Sequence, residues 1–330
     1  MVNQVFRAQR ALPGIRRLKG SRLALAAGLV LICAGTAQGQ TYEDGFEAYR
    51  HGDYEAASVM LEPEAKAGDR EAQAVLGYLL LKGWGTETDY ARALELLTEA
   101  SEKGHYVAMN NLATMYDRGL GVAEDNAEAA RLLRIAADAG EPVAMANLGG
   151  MLFKGDGVAQ DRPEAVRLIR MAAEHGEAYA YYLLALFHYR GEALPLNYKK
   201  AFEFATLAAE KVEPPAYHLL GLMYYGGQGV EADLVEARTL FRKAAKWGNK
   251  QAPLAIGRMY QAGEGGAVDL PRALLWYHVG LDAGDTHLQP FIDQLRRSLE
   301  PSAVALVDAE LDRCRRIGLL GCGNELPEAD

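Results

Sequence analysis

The stretch LMYYGGQGVEAD, residues 222–233, holds three glycines in four positions: Gly226, Gly227 and Gly229. Glycine lets backbone N–H groups come close to an anion, so a turn of this kind can hold a phosphate. The rest of the chain argues against that use. At steps of 36 residues, Gly227 falls in the column Gly83, Gly119, Gly155, Gly191, Gly227 and Gly263. Gly229 falls in a second column, Gly85, Gly121, Gly157, Ala193, Gly229 and Gly265. Six copies of one turn in strict register are turn chemistry, not six nucleotide sites.

Three more columns complete the unit. Asp89, Asp125, Asp161, Asn197, Asp233 and Asp269 each precede an apolar-periodic stretch such as LVEARTLFRKAAKWG. A short side-chain acceptor there satisfies the N–H groups that a helix start leaves open. Ala93, Ala129, Ala165, Ala201, Ala237 and Ala273 let two helices approach closely. Gly104, Gly140, Gly176, Val212, Gly248 and Gly284 end the second helix, where glycine takes the left-handed conformation cheaply. Each unit therefore reads as helix, glycine loop, capped helix, glycine stop. One such hairpin cannot bury its own apolar face, so neighbours must stack. The expected fold is all-α, a right-handed superhelical solenoid of antiparallel helix hairpins. Six units cover residues 71–285. Residues 40–70 form a leading half-repeat or hairpin with a turn at Gly52-Asp53, and residues 286–330 form capping helices and a tail. Unit four departs from the pattern: RGEALPLN loses the second glycine and gains Pro195, and Val212 stands in the glycine-stop column before Pro214-Pro215. A change of bend or twist is expected between units four and five.

The first forty residues differ from the rest. Six basic residues and no acid lie in residues 1–22, followed by the apolar run LALAAGLVLICAG and small residues at Ala37 and Gly39. This pattern predicts a secretory signal, residues 1–39, cut after Gly39, and a periplasmic or secreted protein. The run is short for a membrane span, and a retained anchor is the other reading. Without the six basic residues the net charge goes from −9 to −15, which argues against nucleic acid or an anionic membrane surface as partner. Only Cys314 and Cys322 remain beyond the signal. In an oxidising compartment they predict a disulfide contributing about 2–3 kcal/mol. Two free thiols are the alternative.

Residues 108–140, AMNNLATMYDRGLGVAEDNAEAARLLRIAADAG, resemble the Sel1-like repeat, a tetratricopeptide-related family. The family's pattern is roughly A-x-x-L-G-x-x-Y-x-x-G-x-G-V-x-x-D-x-x-x-A, closing with A-A-x-x-G. Residues 144–176 and 216–248 match it as well. The resemblance implies that first helices line a concave face, and that this face binds partners. It also implies that Asn111 and Asn147 grip a peptide backbone, as amides at this place do in related arrays. Cysteine-rich members, some credited with β-lactam binding, carry cysteine pairs inside their repeats; this chain has none there.

A helical wheel sorts the first helix of unit four into two sides. Tyr181, Leu184, Ala185 and His188 should pack. Tyr179, Tyr182, Leu186, Tyr189 and Arg190 fall on the other side, matched in unit five by Pro215, His218, Leu222 and Tyr225. Units one and three add Tyr78, Leu81 and Phe153. The expected binding surface is an aromatic floor of Phe153, Tyr179, Tyr182, Tyr189, His218 and Tyr225. Packing between neighbouring repeats is the competing use. Lys82, Arg118, Lys154 and Arg190 form a basic column at the end of the same helices. They suit carboxylates of a peptide or acidic polymer, or simply stabilise helix C-termini.

Catalytic patterns are missing from the sequence. None of the seven histidines lies in an H-E-x-x-H arrangement, none of Ser58, Ser101, Ser298 and Ser302 has lysine three residues on, and no G-x-S-x-G occurs. No cofactor or metal is expected. The function expected is a non-catalytic exported scaffold or adaptor that holds a partner protein or peptide on the concave face, in envelope regulation. The alternative is direct binding of a glycan or exopolysaccharide. A β-lactamase-like hydrolase comes third.

Overall fold

The computed structural model describes residues 37–317. They form sixteen α-helices and one short 3-10 turn, with no strand among the described residues. The chain divides into two compact units, the first ending at Asp161 and the second beginning at Arg162. The first holds α1 (Ala37–His51), α2 (Tyr54–Lys66), α3 (Arg70–Lys82), α4 (Tyr90–Glu102), α5 (Tyr106–Arg118), α6 (Asn126–Asp138) and α7 (Pro142–Lys154). The second holds α8 (Arg162–Glu174), α9 (Ala178–Arg190), α10 (Tyr198–Glu210), α11 (Pro214–Gly226), α12 (Leu234–Lys246), α13 (Ala252–Ala262), α14 (Leu270–Asp282), α15 (Gln289–Ser298) and α16 (Pro301–Ile317). Within each unit consecutive helices up to α14 pack on one another, and α15 and α16 both pack on α14, which is the stacked-hairpin fold expected. The leading segment is a complete hairpin, α1 with α2, turning at Gly52 (φ 81°) and Asp53.

The repeat columns do the local work assigned to them. Asp89, Asp125, Asn197, Asp233 and Asp269 each accept, through Oδ1, the N–H of the residue three further on, at the starts of α4, α6, α10, α12 and α14. All six column alanines are fully buried. Gly227 closes α11 in the left-handed conformation at φ 63°, donating its N–H to the carbonyl of Met223.

Gly229 answers to a different constraint. It also has positive φ, 78°, but a Cβ there lies 2.2 Å from the carbonyl oxygen of Tyr198, at the start of α10 in the preceding repeat. Gly85, Gly121, Gly157 and Gly265 meet the first residues of α2, α4, α6 and α12 in the same way. The second glycine column therefore marks close approach between repeats.

Val212 takes the left-handed place that glycine holds in the other repeats, at φ 61°. Its N–H bonds Ala209 O at 2.9 Å and that of Glu213 bonds Ala208 O at 3.0 Å, the pattern that Gly248 and Asn249 repeat one unit later. The turn between α10 and α11 is kept, with a β-branched residue inside it.

The array ends in the 3-10 turn Thr286–Leu288 followed by α15 and α16. Leu288, Ile292, Leu295, Val307 and Leu311 join Trp276, Tyr277 and Val279 of α14 in one buried cluster. Cys314 is buried in that cluster. Its expected partner Cys322 lies outside the described residues, as does nearly all of the expected signal at 1–39.

Candidate functional site

Within each unit the first helices of successive repeats touch, α3 with α5 and α5 with α7, then α9 with α11. The second helices do not approach one another as closely. That spacing puts the first helices on the inside of the local curve, the side on which stacked hairpins bind.

In the first unit, Lys82, Arg118 and Lys154 are the last residues of α3, α5 and α7, and all are exposed. Helix C-termini favour cations, and these three helices end one repeat apart. Lys82 Nζ lies 5.6 Å from the centroid of the Tyr78 ring. Partial cover of its stem and ammonium, and after it the Arg118 guanidinium, lower the Lys82 pKa below the ordinary lysine value. Two cations are thus held within range of repulsion on an acidic chain. Lys154 has a loose contact with Asp156 at 3.6 Å, while Arg118 forms no ion pair among the described residues.

Asn111 and Asn147 were both expected to face a peptide. Asn111 is buried, and Asn147 donates its Nδ2 to Asn110 Oδ1 at 2.8 Å. The structure therefore gives Asn147 a role between repeats that the sequence pattern does not display. Phe153 is half-buried, and Leu81, grouped with the outward set, is buried instead. Next to Tyr78 lies a cluster absent from the sequence reading. Trp84 stacks on Tyr54 at 5.0 Å and meets Tyr78 edge-on at 5.5 Å. Burial, then Tyr54, push the Tyr78 hydroxyl up to about 12.

In the second unit, Tyr179 and Tyr182 stack with centroids 6.0 Å apart. Tyr182 and Tyr189 are half-buried and lean on the core formed by Ala185, Ala201, Leu219 and Met223. Tyr189 also meets Tyr198 edge-on at 5.7 Å. Each ring therefore gives part of its surface to packing between repeats four and five and part to solvent. Tyr225 is 43% exposed and donates its hydroxyl to Glu264 at 3.0 Å. His218 departs from the wheel: it faces α12, its ring 5.5 Å from that of Phe241, and burial lowers its pKa. Arg190 is exposed, 3.9 Å from Glu192. Leu184, Ala185 and His188 are buried as expected, but Tyr181 stays half-open.

One feature of this face has no counterpart in the sequence reading. Glu177 and Glu213 sit just before α9 and α11, one repeat apart. Burial, and then the Glu177 carboxylate, push Glu213 up to about 7.

Residues 70–105, 107–141, 142–177, 178–211, 214–249 and 253–285 each match the Sel1 repeat, well over half of the chain in all. The chain belongs to the Sel1 repeat family. Among solved structures it is similar to a Sel1 repeat protein from Oxalobacter formigenes, at 28% identity and a TM-score of 0.61, covering 73% of this chain and 96% of that one. It is also similar to a protective antigen of uropathogenic Escherichia coli displaying an SLR fold, at 29% identity and a TM-score of 0.57. That match covers 78% of this chain but 55% of the antigen. No curated protein matches the chain.

A Sel1 repeat solenoid implies a protein-interaction scaffold, and proteins of this family typically bind proteins and are generally non-catalytic. Among the described residues no cluster of three or more His, Cys, Asp or Glu is placed to hold a metal ion. No helix among them is long and apolar enough to cross a membrane.

Proposed function

We propose that the first-helix face binds an extended, acidic segment of a partner protein, and that the chain acts as an adaptor outside the cytoplasm once residues 1–39 are removed. The observation that carries this reading is the Lys82–Arg118 pair. Cations at the ends of two first helices that touch gain when a carboxylate arrives. The tyrosines of the second unit supply contact area at low entropic cost. The basic leader, the short apolar run and Gly39 support export.

The test is a pull-down from envelope extract with the wild-type chain and with Arg118→Glu/Lys154→Glu, beside a panel of polysaccharides. The partner captured by the wild type should be a protein, lost from the charge-reversed chain, with binding that weakens as salt rises. Equal capture by both chains would remove the basic column from the site. Retention of an acidic polysaccharide alone would replace a protein partner by a glycan.

A further inference from the structure

We propose that the second-helix side of the second unit carries a binding site for a free aromatic α-amino acid, separate from the first-helix face. The starting observation is one column of the repeat. Leu96, Leu132, Leu168, Leu240 and Trp276 occupy equivalent positions on the second helices, and all are buried at 4% exposure or less. Phe204, the sixth member, is only half-buried. It lines a cavity of about 380 Å³ between α8, α9 and α10. Tyr181 beside it is half-buried, as is its counterpart Tyr217 one repeat on, whereas Gln73, Met109 and Met145 in the earlier repeats are buried.

Aromatic rings line one wall of the cavity. The Phe204 ring lies 6.3 Å from Tyr181 at 23° and 6.1 Å from His188 at 2°, so three rings stand nearly parallel. His188 Nδ1 is 2.9 Å from the carbonyl oxygen of Pro195. A carbonyl only accepts, so Nδ1 carries the proton and, in the neutral ring, Nε2 is left as an acceptor. Pro195, the residue that breaks the loop pattern of repeat four, thereby holds the imidazole in the wall.

The rim carries both signs of charge. Arg170 and Glu174 come from α8, Lys200 and Glu203 from α10, and all four line the cavity. All are exposed, and none forms an ion pair among the described residues. Two cations and two anions around one aromatic wall fit a zwitterion: a ring on Phe204, a carboxylate toward Arg170 or Lys200, and an ammonium toward Glu174 or Glu203. A nucleotide would bring net negative charge to a rim whose charges balance. The volume lies near the bottom of the range of about 300–1,000 Å³ for small-molecule sites, so it suits one ring system with its charged head.

The experiment is isothermal titration of the full chain with L-phenylalanine, L-tyrosine and L-tryptophan, and with N-acetyl-L-tryptophanamide, which keeps the ring and lacks both charges. At least one free amino acid should bind saturably, and the amide should bind more weakly. Phe204→Leu restores the side chain that four of the other repeats carry, so the chain should stay folded by circular dichroism while affinity drops about tenfold or more. Arg170→Gln/Lys200→Gln should weaken the carboxylate contact without touching the wall. No saturable heat with any of the three amino acids overturns the proposal. So does an amide that binds as tightly as tryptophan, which would mean that the rim charges take no part. Should Phe204→Leu fail to fold, unchanged affinity in the Arg170/Lys200 double variant overturns it equally.

Discussion

Val212 occupies left-handed backbone with a β-branched side chain that is 44% exposed. That conformation costs an L-residue roughly 1–2 kcal/mol, and a side chain this exposed offsets little of it. Val212→Gly should therefore stabilise the chain by about 1 kcal/mol, part of the gain being lost to the greater freedom of glycine in the unfolded chain. A thermal or urea midpoint unchanged or lower in the variant would count against strain at this turn. Two glycines separate backbone conformation from close approach. Gly248 and Gly229 have nearly the same φ, 81° and 78°. A Cβ on Gly248 meets nothing within 4 Å, whereas on Gly229 it runs into the backbone of Tyr198 and Lys199. Gly248→Ala should lose only the conformational term of about 1–2 kcal/mol. Gly229→Ala must also push repeats four and five apart, so its melting temperature should fall further. Equal losses would show that the second glycine column is conformational after all.

At the scale of an element, the junction before α11 couples two helix starts. Glu213 and Glu177 precede α11 and α9, and neither side chain forms a capping bond to its own helix. A carboxyl whose pKa is higher in the folded chain than its ordinary 4.5 binds its proton more tightly when folded. Its penalty is absent below 4.5 and grows as pH rises through about 7. Stability from this group is thus lost on going from acid to neutral pH. Glu213→Gln should raise the unfolding midpoint at pH 8 and change it little at pH 4.5; a uniform shift at both would assign the effect to packing. The helices themselves were legible in the sequence, because Asp233, Gly227 and their columns act through neighbours three or four residues away. The Glu177–Glu213 proximity was not, since two acids 36 residues apart become close only when repeats stack. The same reason hid the Asn110–Asn147 bond and the approach of Gly229 to Tyr198.

At the scale of the whole molecule, periodicity carried the stacked-hairpin fold, while the candidate face was read only in outline. A wheel assigns sides to a single helix; it cannot tell solvent from the next repeat. It separated Leu184 and His188 from Arg190 correctly, yet it set His218 outward where α12 covers it, and Tyr182 and Tyr189 share their surface with repeat five. The end of the array follows from stacking alone. An interior repeat buries both sides of its hairpin against neighbours, and the last repeat has a neighbour on one side only. Here the 3-10 turn, α15 and α16 take the missing place: Leu288, Ile292, Leu295, Val307 and Leu311 cover α14, leaving Trp276 2% and Tyr277 0% exposed. Arg315 of α16 also binds Asp282 at the end of α14 bidentately, at 2.8 and 3.0 Å. Deleting residues 286–330 should uncover a contiguous apolar patch on α13 and α14. Patches of that kind on soluble proteins drive association. The shortened chain should sediment as dimers or larger species at concentrations where the full chain does not, with its melting temperature lowered. A shortened chain that stays at the full chain's oligomeric state and melts at the same temperature would mean that α14 can face water, and that α15 and α16 serve something other than closure of the array.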